Sequence, residues 1–261
     1  MTTIGDLDVD AVLETLEAMH PDEASDPGEP LRERKKRRLR QQISNTATAM
    51  FLRHGFDNVT VARIAAACEV SEQTVFNYFP TKESMFFDRS EAMTNAVADA
   101  VRERGRASLV EALVQSLGGG IRPGQWGALD EAGQLHLFRL FCDAATGSPT
   151  LVAARFADLP RFIDEVSIAL AHRIGADPID PEVQLATLVI AGMVRIRLES
   201  TFHHVQHVTS LAALNKAVKR DVLRAARLAE PTLTAFDNMR DTAEGRGAAT
   251  PAGPSLKSGV V

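Results

Sequence analysis

The sequence predicts an all-α protein of two helical domains, and three observations carry that prediction. Apolar residues recur three and four positions apart in nearly every stretch from Val12 to Ala229. Capping residues such as Thr60, Ser71 and Thr81 stand directly before those runs. Glycine and proline fall mostly between the runs, as at Gly118-Gly119-Gly120 and Gly147-Ser148-Pro149. A length of 261 residues suits one or two domains, and an apolar share of 45% is ordinary for a globular chain.

Taken in order, residues 1–30 hold nine acids and no Lys or Arg. Val12, Leu13, Leu16 and Met19 suggest a short amphipathic helix there, and Pro21, Pro27 and Pro30 keep it from continuing. From Leu39, the residues Ile43, Ala47, Met50 and Phe51 make a stripe that ends near His54-Gly55. Thr60 caps a helix over 61–67, with Ile64, Ala65 and Cys68 inward. Ser71 caps the next, in which Val75, Phe76 and Phe79 come after Gln73 and Pro80 is the stop. Thr81 caps a longer helix with Met85, Phe86, Met93, Val97 and Val101 inward.

The pattern changes after Gly105. Leu109, Val110, Leu113, Val114 and Leu117 form one helix, and a loop around Pro123, Trp126 and Gly127 comes after it. Leu135, Phe138, Phe141, Cys142 and Ala145 form the next. Leu151 to Ile174 reads as helix with a break or kink at Pro160. The segment Glu182–Phe202 is apolar around much of its circumference and is expected to be buried on two sides. Leu211, Leu214, Val218, Val222, Ala225 and Ala229 form a narrower stripe. Order is expected to fade beyond Pro231. The organisation is therefore an acidic, flexible extension (1–30), a first domain (31–80), a second (81–232) and a disordered tail (233–261).

A net charge of −5 argues against a nucleic-acid partner until it is divided by segment. The first 30 residues carry −9. Residues 31–90 carry eleven bases against six acids, or +5, and the remainder is nearly neutral at −1. Such asymmetry is a hint of nucleic-acid contact. No apolar run long enough to span a membrane occurs, and no basic segment opens a secretory signal. Two cysteines, Cys68 and Cys142, make no disulfide framework and fit a reducing cytoplasm. No nucleophile–base set or carboxylate pair with catalytic spacing stands out, so the chain does not read as an enzyme. No cofactor is expected.

Thr60–Phe79 has helix-turn-helix spacing: VARIAAA, then CEVS, then EQTVFNYF. A short first helix braces the second, and the tight turn lets the second project into a major groove. Val70 supplies the apolar turn residue that faces the core, and Ala65, Ala66 and Ala67 supply small residues where the helices cross.

The stretch FLRHGFDNVTVARIAAACEVSEQTVFNYFPTKESMF resembles the DNA-binding domain of TetR-type (tetracycline-repressor-type) transcriptional regulators. The resemblance rests on HGF, the Thr60 cap, Ile64-Ala65, Val70-Ser71 and NYFPTKE, and covers roughly residues 32–90. It implies an N-terminal three-helix helix-turn-helix DNA-binding domain and a C-terminal helical ligand-binding and dimerisation domain. The implied partner is double-stranded DNA, a palindromic operator read by two recognition helices, and the implied role is a repressor. An activator, and a helical interaction protein with a non-functional DNA module, are the alternative readings.

Thr74, Phe76 and Tyr78 match recognition-helix positions, with Thr74 and Tyr78 on one face and Phe76 rotated away. Gln73 can read adenine, and Ser71 opens the helix where a phosphate can dock. Lys82 matches a phosphate-binding lysine, and Thr60 and Arg63 match phosphate-contacting positions. The run at 32–38, including Arg34, Lys35, Lys36 and Arg37, is read as a flexible basic arm ahead of the first helix.

In the second domain the resemblance implies a homodimer through the helices Glu182–Phe202 and Leu211–Ala229 and an unidentified small-molecule effector. Trp126, Phe138, Phe141, Cys142, Phe162 and Met193 are the candidate pocket residues, with His136 and Phe156 as further candidates. Arg139 and Arg195 are candidates for meeting an anionic ligand. His203 and His207 have i, i+4 spacing, but no neighbouring Cys or carboxylate completes a metal set, so none is assigned. The acidic extension leaves two readings open, a passive solubilising tail and a segment that competes with phosphate for the basic module.

Overall fold

The computed structural model describes Glu14 and residues 30–105, 107–120, 129–157 and 159–247; the side chains of 89–93 and 240–247 are outside that description. Several expectations therefore lie outside it: the acidic extension (apart from Glu14 and Pro30), the loop around Pro123, Trp126 and Gly127 with its pocket candidate Trp126, and the inward side chain of Met93. Among the described residues there are eleven α-helices, one 3-10 turn and no strand.

The first four helices are α1 (Leu31–His54), α2 (Val61–Ala67), α3 (Glu72–Tyr78) and α4 (Lys82–Phe86), with the 3-10 turn Phe56–Asn58 between α1 and α2. Local chemistry sets their bounds. Thr60 Oγ1 accepts from the Arg63 N–H at 3.3 Å, and Ser71 Oγ accepts from the Thr74 N–H at 3.0 Å. Thr81 and Ser84 form a reciprocal capping box on α4. The chain between α2 and α3 turns through Glu69 in the left-handed region, φ +56°. The Val70 N–H reaches Ala65 O at 3.0 Å and the Glu69 N–H reaches Ala66 O at 3.2 Å, which is a Schellman closure with Glu where Gly is usual. Val70 packs back on the core as the sequence suggests.

Two boundaries differ from expectation. The run after Thr81 is two helices, α4 and α5 (Asp88–Glu103), separated at Phe87. The first of them belongs with the N-terminal domain, because Met85 and Phe86 are buried with Phe51 and Phe56. The run from Leu151 breaks after Ala154, ahead of Pro160, which then sits in the first turn of the next helix, where proline costs little.

The body comprises α5, α6 (Leu109–Leu117), α7 (Glu131–Gly147), α8 (Pro149–Ala154), α9 (Leu159–Ile174), α10 (Pro181–Val205) and α11 (Leu211–Gly247). Glu131 caps α11 by accepting from the Leu211 N–H at 2.8 Å. Arg139 closes the far end of α10 by donating to the carbonyls of Val205 and Val208. That role is neither the surface salt bridge nor the anion contact for which Arg139 is a candidate.

The tail also differs. α11 runs through Pro231 to Gly247, where disorder is expected from 233. An internal proline costs about 3 kcal/mol. Leu233 and Phe236 beyond it are fully buried, each contributing about 1.5–3 kcal/mol. Asp237 adds two ties: its carboxylate accepts from the Leu109 N–H at 2.8 Å and lies 2.6 Å from the Arg104 guanidinium. Residues 248–261 lie outside the description.

Candidate nucleic-acid interface

The recognition helix is held from behind. Val75 and Phe79, one turn apart on α3, are fully buried. The Arg40 guanidinium lies over the Phe79 ring at 4.4 Å, donates to Tyr78 O at 2.8 Å, and pairs with Asp88. These contacts lock the end of α3 against α1 and the start of α5.

With Val75 and Phe79 inward, the opposite face of α3 carries Gln73, Phe76 and Asn77, all exposed. Phe76 is 42% exposed, so it points to solvent, on a side turned from Thr74 and Tyr78 as the spacing suggests. Gln73 Nε2 donates to Asn77 Oδ1 at 3.1 Å, which holds two amides side by side on that face. Sequence reasoning passes over Asn77, although its signal is present, because a helix anchored at 75 and 79 must present 73, 76 and 77.

Thr74 and Tyr78 flank this face. The Thr74 hydroxyl is 2.8 Å from Ser71 Oγ, so both hydroxyls are partly engaged within the cap. Tyr78 is half-buried and packs against the core. Thr60 and Arg63 are exposed at the start of α2, with Arg63 reaching Asn58 O at 3.5 Å.

Lys82 is a structural tie as well as a cation. Its Nζ donates to Phe56 O at 3.0 Å and Val59 O at 3.1 Å and sits 4.1 Å from the Phe56 ring centroid. An ammonium has three donors, and these bonds commit two of them. The turn that feeds α2 is thus pinned to the start of α4.

The basic run is not an arm. Arg32 to Arg38 lie inside α1, which begins at Leu31 directly after Pro30. Lys and Arg are good helix formers and no breaker separates them from Ile43, so the helix extends through them. Their charges therefore spread around two helical turns. Lys36 and Arg37 share the face of Arg40, the side that meets the end of α3. Arg34 and Lys35 are exposed.

The body places the other candidates differently. Phe141, Cys142, Phe162 and Met193 are core residues, and Phe138 packs against that core. Phe141 stacks on Phe86 at 4.4 Å and 14°, which joins α7 to the DNA-side domain. Burial pushes the Cys142 thiol up to about 12, helped by Asp143 and opposed by Arg155. A small, open cleft lies between α5, the end of α8 and α10. Of all the residues singled out from the sequence, Phe156 and Arg195 reach it. Among the histidines, His204 Nε2 is 2.7 Å from Asp221 Oδ2, a carboxylate on α11 that helix spacing could not reveal. Among the described residues no group of three or more His, Cys, Asp or Glu is placed to hold a metal ion, and no helix is long and apolar enough to cross a membrane.

A short, capped helix-turn-helix with an outward polar-aromatic face beside a basic helix defines a DNA-reading module on an all-helical body. Comparison with known proteins agrees. The family model described as bacterial regulatory proteins, tetR family, matches residues 43–88. The HTH-type transcriptional regulator TcmR of Streptomyces glaucescens is 28% identical over 210 residues, spanning 78% of this chain and 91% of the relative. A putative tetR-family regulator from Mesorhizobium loti covers 74% of this chain and 98% of its own at 20% identity and a TM-score of 0.40. A tetR-family regulator from Streptomyces coelicolor covers 85% and 92% at 18% identity and a TM-score of 0.39. The chain is a DNA-binding transcriptional regulator whose residues 43–88 match the tetR family.

Proposed function

We propose that this regulator is a ligand-responsive repressor that binds a palindromic operator as a homodimer in the cytoplasm. The observation that carries the DNA-reading part is the outward face of α3, with Gln73, Phe76 and Asn77 exposed while Val75 and Phe79 hold the helix from behind. In this reading Gln73 and Asn77 read base edges and Phe76 meets a thymine methyl. Thr60, Arg63, Ser71, Thr74, Tyr78, Lys82 and the basic face of α1 (Arg34, Lys35, Lys36, Arg37) position the duplex through its phosphates.

The dimer reading rests on α10 and α11. One side of α10 is buried in its own domain through Val183, Ala186, Ile190 and Val194. The other side exposes Leu185, Leu188 and Ile196, and α11 exposes Leu228 at 85%, near Ile196. The stripe Leu211, Leu214, Val218 and Val222 is spent inside the chain, so the partner meets the opposite face of α11. A two-fold packing of these faces would set two α3 helices one duplex turn apart, about 34–36 Å.

A mobility-shift titration with DNA flanking the protein's own gene tests the reading. Gln73→Ala and Asn77→Ala should each cost about 1–3 kcal/mol of base discrimination. Lys35→Ala should lower the log–log salt slope by about 0.9 if it neutralises one phosphate. Leu188→Glu with Leu228→Glu should dissociate the dimer by sedimentation and weaken operator binding. Absence of any salt-sensitive, sequence-preferring complex would sink the proposal. A promoter fusion separates repression from activation.

A further inference from the structure

The cleft in the body has a chemical character of its own. Phe87, Leu159, Val194 and Leu198 give it apolar walls. Two cations reach it, Arg155 and Arg195, each with its guanidinium carbon 5.6 Å from the Phe156 ring centroid. Arg155 is the unusual one. Its side chain is 12% exposed, and its guanidinium carbon lies over the Phe202 ring, 3.8 Å from the centroid. Among the described residues its Nε is buried without a hydrogen-bond partner. Glu199, itself 48% exposed, reaches the guanidinium only at 3.5 Å. A buried guanidinium N–H without an acceptor is costly, and a guanidinium held against an aromatic ring keeps its donor edge for an anion.

The cleft is also wired to the DNA-side domain. Arg155 directly follows α8, a helix of six residues. At its other end Ser148 donates to Asp57 Oδ2 at 3.2 Å and Thr150 donates to Asp57 Oδ1 at 3.3 Å. Asp57 sits in the 3-10 turn whose flanking carbonyls hold Lys82 and which leads into α2. One short, stiff helix therefore joins the cleft to the base of the helix-turn-helix.

We propose that this cleft takes an apolar ligand bearing an anionic group, that Arg155 holds the anion, and that α8 carries occupancy to Asp57 and the DNA-reading helices. This names the ligand class for the ligand-responsive reading above and rests on it. A carboxylate on an aromatic or aliphatic body satisfies the Arg155 Nε while its body replaces water against Phe87 and Leu198. Drawing Arg155 toward the ligand pulls on α8, and the pull reaches α2 through Asp57.

Calorimetric titration of the full chain with 1-naphthoate, anthracene-9-carboxylate and decanoate, each against its neutral amide, is the test. At least one acid should bind tenfold or more tighter than its amide. Arg155→Met, which keeps the stack on Phe202, should abolish that preference, while Arg155→Lys should retain part of it. Both variants should still bind a duplex selected from a random library by the wild-type protein, which confirms folding. Asp57→Ala should bind the acid as tightly as wild type but fail to release that duplex when the acid is added. Equal binding of acids and amides, or an acid preference unchanged in Arg155→Met, overturns the ligand assignment. Ligand-driven release that survives Asp57→Ala overturns the coupling through α8. Release of the duplex by a neutral or cationic compound, undiminished in Arg155→Met, overturns this proposal and leaves ligand-responsive repression standing.

Discussion

Replacing Asp237 should unfold the end of the longest helix and destabilise the whole body. Arg104 closes α5 with its side chain 1% exposed, and Asp237 on α11 is its counter-charge at 2.6 Å. The pair is close but poorly aligned as a hydrogen bond, so its attraction is mainly coulombic. Arg104 also donates to Ala107 O at 3.1 Å. The other Asp237 oxygen caps α6 through the Leu109 N–H. Asp237→Asn keeps the volume and a cap acceptor but strands a buried guanidinium. Removing one partner of a buried ion pair costs about 3–5 kcal/mol. Asp237→Ala also removes the cap and should cost about 1 kcal/mol more.

At about 2–4 °C per kcal/mol for a body of this size, Asp237→Asn should lower Tm by roughly 6–20 °C. Urea denaturation followed by far-ultraviolet circular dichroism gives the free energy directly. A chain ending at Glu230 should lose the pair together with Leu233 and Phe236, and fare worse still. The double replacement Arg104→Met with Asp237→Leu removes both charges and should recover most of the loss, because well-packed apolar groups replace buried ion pairs at little cost. An Asp237→Asn protein within 1 kcal/mol of wild type, or a double variant no better than the single, would refute this account of why α11 continues past Pro231.

Three other outcomes are expected. Glu69→Gly relieves a left-handed residue worth about 1–2 kcal/mol against about 0.5–1 kcal/mol of added chain entropy, so it should raise stability slightly in urea, whereas Glu69→Val should lower it. Burial tends to raise the Asp221 carboxyl, but hydrogen bonds from His204, Ser200 and Arg220 outweigh it and hold it below 3.8. That stabilisation is present above 3.8 and lost as pH falls through the depressed value, so Asp221→Asn should flatten the acid side of a stability–pH profile. The Cys142 thiol, raised from 9.0 to about 12 by burial first and Asp143 second, favours folding below pH 9 and loses that contribution as pH climbs toward 12; at neutral pH it should resist iodoacetamide until urea unfolds the chain.

What the sequence makes legible is what local chemistry decides. Thr60, Ser71 and Thr81 cap their helices because a side-chain oxygen three residues before an N–H needs nothing from elsewhere. Val70 faces the core because a Schellman closure places it there. The outward face of α3 is less legible, since residue matching draws attention to Thr74 and Tyr78, while the burial of Val75 and Phe79 decides that Gln73, Phe76 and Asn77 look outward. The basic run reads as an arm because charge density suggests solvation, yet an unbroken stretch of helix formers before Ile43 makes it helix. The tail reads as disordered from Pro231 and from the Gly-, Ala-, Pro- and Ser-rich composition of 245–261, and the helix just beyond Pro231 depends on Arg104 and Leu109, far away in sequence. The cleft is least legible of all, because Phe87, Arg155 and Arg195 come from three separate stretches that only the fold brings together.

The same contacts say how a signal can cross the molecule. The two domains share one apolar core, in which Phe86 of α4 stacks on Phe141 of α7 and Phe87 meets both rings edge-on. A close-packed junction of this kind is not continuously deformable, so the DNA-side domain moves as a block or not at all. The chain provides one break at that junction, at Phe87 between α4 and α5, and Phe87 is also a wall of the cleft. A ligand pressing on Phe87 and drawing Arg155 therefore acts on both attachments of the helix-turn-helix, the aromatic junction behind α4 and the Asp57 tie in front of α2. Each attachment alone allows the block to pivot about the other. Acting together, they fix the direction of the pivot, which is what a two-state change in the spacing of paired recognition helices requires.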